Sequence, residues 1–233
     1  MKFNKSIKLF VFSIALFTLF LSKGFSTESN KSTAAIVTKV IQIVEHKSGD
    51  SEWAATKPLT QLETSDVLRT GEKSLAIVRF LDGSNLRIRE KTTITIYADK
   101  KPNGLSKNTR IDAGKMRFET VKQKEDDEFL ITTPTAVASI RGTEGLVHIL
   151  DNGATLLTLD SGRVDVRASV GARQSGTVEG GMTALISTEG NVSIDFSTPE
   201  QIDNSRQSTM TKEKYIIIQT NVGTFRLKYL DHE

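Results

Sequence analysis

From residue 36 onward the chain alternates apolar and polar positions with a period of two, and almost no stretch carries the 3.6-residue spacing of an amphipathic helix. In "SLAIVRFLDGSNLRIREKTTITIYA", Leu86 and Ile88 fall on one side while Arg87 and Arg89 fall on the other, and Ile94 and Ile96 then alternate with Thr93 and Thr95. Successive strand side chains point to opposite faces, so the pattern predicts strand, tight turn, strand and a further strand. "AIVTKVIQIVEH" opens the domain in the same manner, with Ile36, Val40 and Val44 among its apolar positions.

One turn recurs. "LDGSNLRI" starts at Leu81, "IDAGKMRF" at Ile111, "LDNGATLL" at Leu150 and "LDSGRVDV" at Leu159, with "STEGNVSI" at Ser187 as a looser copy. Asp accepts a backbone hydrogen bond two residues on, and Gly takes the positive φ such a turn needs. The second and fourth copies match most closely. Short strands joined by repeated Asp/Gly turns predict an all-β fold, a β-roll or solenoid-like stack, with a two-sheet β-sandwich as the alternative. The one tryptophan, Trp53, is expected to be partly buried beside "LETSDVLRTG".

The run "TPTAVASIRGTEGLVHI", 133–149, breaks this regularity. Ala136, Ala138 and Ile140 hold the apolar phase on even positions, whereas Val147 and Ile149 hold it on odd ones. A period-two strand changes phase only through an inserted residue, so a bulge or bend is predicted between Arg141 and Leu146, with Gly142 or Gly145 supplying the unusual φ. A bend frees backbone carbonyls. Arg141, with five donors, is expected to bond them, or Glu144 or Asp160, and Thr143 to close the turn, which makes Arg141, Gly142 and Thr143 scaffold.

The ends of the chain read differently. Lys2, Lys5 and Lys8 precede a 14-residue uncharged run, Leu9 to Ser22, and small residues follow in "KGFSTES". A membrane-spanning helix needs about 20 apolar residues, whereas a secretory signal takes roughly 7 to 15. Residues 1–26 are therefore read as a signal peptide and 27–35 as a disordered polar segment. A β domain over 36–196 follows, then a polar linker over 197–214 and a last strand segment over 215–233. Export places the protein in the periplasm or outside the cell, with membrane contact only transiently through the signal.

Removing the signal changes the charge. It carries Lys2, Lys5, Lys8 and Lys23 and no acid, which leaves 27 basic against 28 acidic residues. The basic character of the whole chain therefore implies no nucleic-acid partner. There is no cysteine, which excludes disulfides, thiol catalysis, Cys-ligated metal and a lipid anchor on cysteine. His46, His148 and His232 are far apart with no carboxylate at ligand-like spacing. No metal or other cofactor is expected.

"TPTAVASIRGTEGLVHI" resembles the signature of the FecR-like domain, in which a Thr-Pro segment leads to a strand ending in Arg-Gly-Thr. "DVLRTGEKSLAIVRFLDGSNLRI" is similar to the same domain's Asp, Arg-Thr-Gly and Asp-Gly-Ser stretch, here Asp82, Gly83 and Ser84, and "LLTLDSGRVDV" to its closing strand. The resemblance spans about residues 36 to 190. It implies an extracytoplasmic, all-β, non-enzymatic domain of the kind that relays a transporter's signal to a sigma factor in bacterial iron-citrate regulators. Two departures stand out. Only eight residues precede the hydrophobic run, too few for the cytoplasmic helical segment that holds a sigma factor, and Gly145 stands where the family has a bulky Phe.

Three function classes follow. For an enzyme, Glu144 and Asp160 are the carboxylate candidates near the signature, and neither has a histidine beside it in sequence. For a binding module, residues 79–124 carry 12 basic and 5 acidic residues. Arg87, Arg89 and Arg117 could form a stripe for an anionic envelope polymer, a glycan or lipid head group, or for a partner. The bland alternative is a solvated sheet face. For a protein-interaction or signalling module, the partner is an envelope protein met at sheet edges. The resemblance favours this third class.

Overall fold

The computed structural model describes residues 33–101, 104–122, 127–207 and 212–231. The predicted signal peptide, 1–26, lies outside the described residues. The strands in chain order are β1 (Thr33–Ile41), β2 (Val44–Lys47), β3 (Ala54–Ala55), β4 (Gln61–Glu63), β5 (Val67–Thr70), β6 (Leu75–Phe80), β7 (Asn85–Ile88), β8 (Thr93–Lys101) and β9 (Gly104–Glu119). They continue as β10 (Glu128–Thr132), β11 (Ala136–Ile140), β12 (Glu144–Ile149), β13 (Thr155–Ser161), β14 (Arg163–Ala168), β15 (Ser175–Glu179), β16 (Met182–Ile186) and β17 (Val192–Phe196). A helix α1 (Pro199–Gln207) and a hairpin of β18 (Lys212–Thr220) and β19 (Gly223–Asp231) follow. The fold is all-β, as the alternation predicts.

β1 to β17 form one hydrogen-bonded sheet that doubles into two layers. The first layer runs β4-β1-β6-β7-β9-β12-β13-β16-β17. The second runs β3-β2-β5-β8-β9-β10-β11-β14-β15. From β6 onward the chain lays two strand segments in one layer, crosses, and lays two in the other, advancing each time, except that the end of β9 is a single segment in the first layer. Among the described strands only β9 belongs to both: its start pairs with β8 and β10, its end with β7 and β12. The two arrangements left open by the sequence therefore merge. The layers pack across a shared core, as in a sandwich, and the chain fills them by winding, as in a roll. Leu86, Ile88, Ile94, Ile96, Ile111 and Phe118 are fully buried in that core.

The recurring turn does two different jobs. The copies at Leu81, Leu150 and Ser187 close hairpins within a layer, β6–β7, β12–β13 and β16–β17. The two best-matched copies, at Ile111 and Leu159, carry the chain from one layer to the other. Gly114 (φ +88°) bends β9, and Gly162 (φ +87°) leads β13 into β14. A threonine from an earlier crossing packs on each. A Cβ on Gly114 would lie 2.2 Å from Thr92 Oγ1, and one on Gly162 would lie 2.5 Å from Thr143 Cγ2.

Crossings interrupt the ladder, and buried or half-buried threonines satisfy the freed backbone groups. Thr92 Oγ1 accepts from Lys115 N at 2.9 Å and donates to Glu90 O at 3.0 Å. Thr64 Oγ1 accepts from Ala98 N at 2.7 Å. Thr133, Thr135 and Thr155 link their hydroxyls at 2.7 and 2.8 Å. Composition had not pointed to this role.

One ion pair sits inside the core. Lys107 on β9 is fully buried, its Nζ 5.4 Å from the Phe80 ring and 4.8 Å from the Phe129 ring, and it pairs with Asp82. Those rings come from opposite layers and meet edge to face at 5.4 Å. A buried ammonium is tolerated only when paired, and aromatic faces help hold it. Asp82 also accepts from the backbone and the hydroxyl of Ser84, both at 3.0 Å. Burial alone would push its carboxyl up. The Lys107 ammonium and the Ser84 bonds outweigh that and hold Asp82 below its usual range.

Trp53 is half-buried, with the Arg69 guanidinium of β5 at 3.9 Å from its ring centre, beside the predicted strand. Two segment boundaries differ from the sequence reading. Ala34 and Ala35, placed in the disordered segment, are buried in β1. The stretch read as linker holds α1. Its signal was a capping box with Pro at the first helical position: Thr198 N donates to Gln201 Oε1 at 2.7 Å, and Gln201 N donates to Thr198 Oγ1 at 3.2 Å.

Two predictions follow from this core. Gly114→Ala is expected to cost about 2 kcal/mol or more, since it adds left-handed strain and a clash with Thr92; urea denaturation measures it. Asp82→Asn strands Lys107 and is expected to cost about 3 kcal/mol at neutral pH. Because the Asp82 carboxyl is depressed in the folded state, its contribution is present above the unfolded value and is lost as pH falls through the folded value. Melting curves of wild type and Asp82→Asn are therefore expected to begin converging below about pH 4, where the unfolded carboxylate takes up its proton, and to meet only below the lower folded value.

Candidate functional site

β9 carries a second charged group on the outside of the first layer, close to the Arg-Gly-Thr crossing. Arg117 is 5% exposed. Its guanidinium binds Asp160, the Ser205 hydroxyl at 3.0 Å, Glu144 at 3.3 Å and Glu119 at 3.4 Å. Ser205, fully buried on α1, donates in turn to Asp160 at 2.8 Å. α1 is polar, and its docking rests on this network together with the cover it gives to β13. Arg117 was expected in a basic stripe open to a partner. That placement is corrected: three carboxylates and a helix enclose it, because Glu119, Glu144 and Asp160 all reach the same outer corner.

The other stripe residues fare differently. Arg87 lies opposite Arg117 in the β7–β9 register and approaches Glu119 at 3.6 Å. Arg89 is half-buried two residues on, and its side chain has no hydrogen bond or ion pair with any described residue. The three do not form one continuous basic surface.

The Arg-Gly-Thr stretch carries the chain from β11 in the second layer to β12 in the first. Gly142 takes φ +69°, and the β12–β13 register shifts between Glu144 and Gly145. This is where the change of apolar phase occurs. Thr143 is buried, and its backbone is tied to Thr120: Thr143 N donates to Thr120 Oγ1 at 2.9 Å, and Thr120 N donates to Thr143 O at 3.0 Å. A Cβ on Gly142 would touch the Lys122 backbone at 3.0 Å. Arg141 differs from expectation. It is exposed and bonds none of the described carbonyls or carboxylates. The Thr120 hydroxyl meets the Thr143 backbone, whereas the Thr143 hydroxyl, expected to close the turn, bonds none of the described residues; Arg117 takes Glu144 and Asp160.

Gly145 also gains a reason. A Cβ there would sit 2.5 Å from Thr158 O and 3.0 Å from the Phe118 ring, so Phe118 already occupies the space a larger residue would need.

A groove of about 520 Å³ opens where successive crossings and turns stack along one side. Residues 89–91, 112–115, Pro134, 148–151 and Gly153 line it. Lys91 pairs with Glu72 at 2.8 Å and Asp112 with Arg110 at 2.7 Å. Glu90 accepts from the Lys73 backbone at 2.8 Å. Arg89, Lys115 and His148 have no side-chain partner among the described residues. Burial and then the Lys115 ammonium push the His148 imidazole below its usual range, with Asp151 opposing them. The sequence reading took His148 as a solitary strand histidine and did not single out Lys115. The two face each other across the β9–β12 pairing, a relation that residue spacing does not reveal. Among the described residues no group of His, Asp and Glu is arranged to hold a metal ion.

The profile of the family described as FecR protein matches residues 66–165. That span runs from Asp66, before β5, to Asp165 in β14, and contains the Asp-Gly-Ser turn, the buried Lys107 and the Arg-Gly-Thr crossing. Comparison with curated proteins gives no match. Among solved structures, the fold is similar to two crystal structures of a Parabacteroides distasonis ATCC 8503 protein assigned as an anti-sigma factor. In the first, 60% of this chain aligns with 64% of that chain at TM-score 0.50 and 12% identity. In the second, the shares are 67% and 68% at the same score and identity. The likeness is one of fold.

The two arginines of this corner are expected to separate in a melt. Arg117→Ala removes the cation from Asp160, whose side chain is 10% exposed, and is expected to cost about 3 kcal/mol and to loosen α1. Arg141→Ala removes no bond and is expected to stay within about 0.5 kcal/mol of wild type. Equal losses from the two substitutions would contradict the assignment of Arg117 as the cation that holds the corner.

Proposed function

We propose, from the match of residues 66–165 to the FecR protein family, that the protein is a signalling module of the cell envelope that works by contact with another protein. Export by the N-terminal segment and a working place outside the cytoplasm belong to the same proposal. So does the absence of catalysis. The two carboxylates nearest the signature, Glu144 and Asp160, are both engaged by Arg117, which leaves neither free to act as a general base.

The observation that carries the reading is the hairpin after α1. Register pairs Ile216 with Leu227 and Ile218 with Phe225, which places four large apolar side chains on one face. All four are exposed, at 43–56%. A two-stranded hairpin is marginal by itself in water, and an uncovered apolar sheet face is a surface for partners. β17, at the edge of the first layer, adds an open strand with Phe196 83% exposed. The other end of each layer is blunted by the short strands β3 and β4, so the open side is the C-terminal one.

Pull-down of the protein from envelope extract tests the proposal. One protein is expected to be recovered, and Ile216→Ser with Phe225→Ser is expected to abolish its recovery while the melt of the main domain stays within a few degrees of wild type. Recovery that is indifferent to the double substitution, or of glycan alone, would overturn the reading. So would fractionation that finds the chain only in the cytoplasm.

A further inference from the structure

We propose that the groove beside His148 binds the oxyanion of an organic ligand, a phosphodiester or a carboxylate, through Arg89 and Lys115. Its volume of about 520 Å³ lies within the range of small-molecule sites, roughly 300–1,000 Å³. The lining divides into a charged side and an apolar shoulder of Pro134, Ile149 and Leu150. That combination suits an anion carried on an organic body better than a bare ion.

The charges sort by what they already bind. Lys91, Asp112 and Glu90 are committed to Glu72, Arg110 and the Lys73 backbone. Among the described residues, the lining side chains without a partner are Arg89, Lys115, His148 and the exposed Asp151. Two half-buried cations and an imidazole therefore face two carboxylates that no cation pairs among the described residues, Glu90 and Asp151, both exposed and so more fully screened by water. Arg89 offers a planar fork that can hold two oxygens at once, and Lys115 offers a point charge beside it. Both are half-buried, as is His148, so water screens them less than it screens a surface lysine. Backbone pairing sets their spacing: Arg89 N donates to Lys115 O at 3.0 Å, and Lys115 is paired with His148 across β9 and β12. The groups do not have to be gathered when the ligand arrives.

His148 makes the site report on its own occupancy. Lys115 on β9 disfavours the imidazolium and Asp151 in the β12–β13 turn favours it, while Arg89, Glu90, Lys91 and Asp112 complete the charged lining. An anion between Arg89 and Lys115 acts in the same sense as Asp151 and raises the imidazole's affinity for its proton. Binding then takes up a proton, and affinity grows as pH falls through the interval between the free and bound values of His148. The inference does not depend on the signalling role, since it is read on the purified protein alone.

Proton NMR of the histidine rings tests it, with glycerophosphoglycerol as phosphodiester, galacturonate as carboxylate, glycerol as neutral control and sodium chloride at matched ionic strength. At least one of the two anions is expected to shift the His148 ring signals saturably and to move their titration to higher pH, while His46 stays unmoved. Saturation by the phosphodiester alone assigns a lipid head group or phosphate polymer as the source, and by galacturonate alone an acidic glycan. Arg89→Gln and Lys115→Gln are each expected to weaken binding about tenfold. Arg163→Gln, on the second layer, leaves it unchanged. The proposal is overturned if neither anion exceeds the effect of sodium chloride, or if folded Arg89→Gln and Lys115→Gln proteins bind as wild type does.

Discussion

The fold depends on one strand that belongs to both layers. β9 runs 16 residues, pairs with β8 and β10 in its first part and with β7 and β12 in its last, and bends at Gly114 to do so. Elsewhere, crossing segments alone connect the layers. Through β9 a hydrogen-bonded ladder passes between them, so the register of one is tied to the register of the other. Its two main charges use that position. Lys107 points into the core between Phe80 and Phe129 and holds the Asp-Gly-Ser turn through Asp82. Arg117 points outward and holds α1 and the start of β12. A strand fixed at both ends in this way leaves little freedom for the layers to slide.

Winding between layers has a cost that a flat sheet avoids, because each crossing interrupts the ladder and leaves buried N–H and C=O groups to satisfy. Threonine suits this work: its hydroxyl both donates and accepts, and its methyl fills the space over a glycine. The Thr92–Gly114 and Thr143–Gly162 contacts show the pairing at two successive levels. Thr143 joins this stacked device through its methyl alone, since its buried hydroxyl bonds none of the described residues; at the Arg-Gly-Thr crossing glycine turns the chain and the Thr120 hydroxyl seals the Thr143 backbone. The preceding arginine is exposed and does neither.

Period-two alternation was legible because each strand buries one face, which is why the all-β class, the turns and the change of phase after Ile140 could be read directly. The two closely matched turn copies, at Ile111 and Leu159, were legible as similar but not as crossings; that distinction lies in which strands pair, a long-range matter. α1 was missed although Thr198, Pro199 and Gln201 form a capping box, since the segment lacks the apolar stripe that ordinarily marks a helix. Its place is held by Ser205 against Arg117 and Asp160, and a single buried hydroxyl leaves no periodic trace. The Arg141 expectation failed for a related reason. The charge needed near the bend is supplied from β9, 24 residues earlier in the chain.

The excess of basic residues between 79 and 124 shows how far charge counting reaches. Many of those cations are consumed by acids outside the window or by neighbours within it: Lys91 by Glu72, Lys101 by Glu128, Arg117 by Glu144 and Asp160, Lys107 by Asp82 and Arg110 by Asp112. Part of the positive excess is therefore cancelled by acids elsewhere in the chain. Attraction for an anion belongs to the charges left over. At short range an unpaired, half-buried arginine outweighs several exposed and paired ones, because its field is neither cancelled by a partner nor fully screened by water. Arg89 and Lys115 meet that condition, and the protein places them in a groove with room for a ligand.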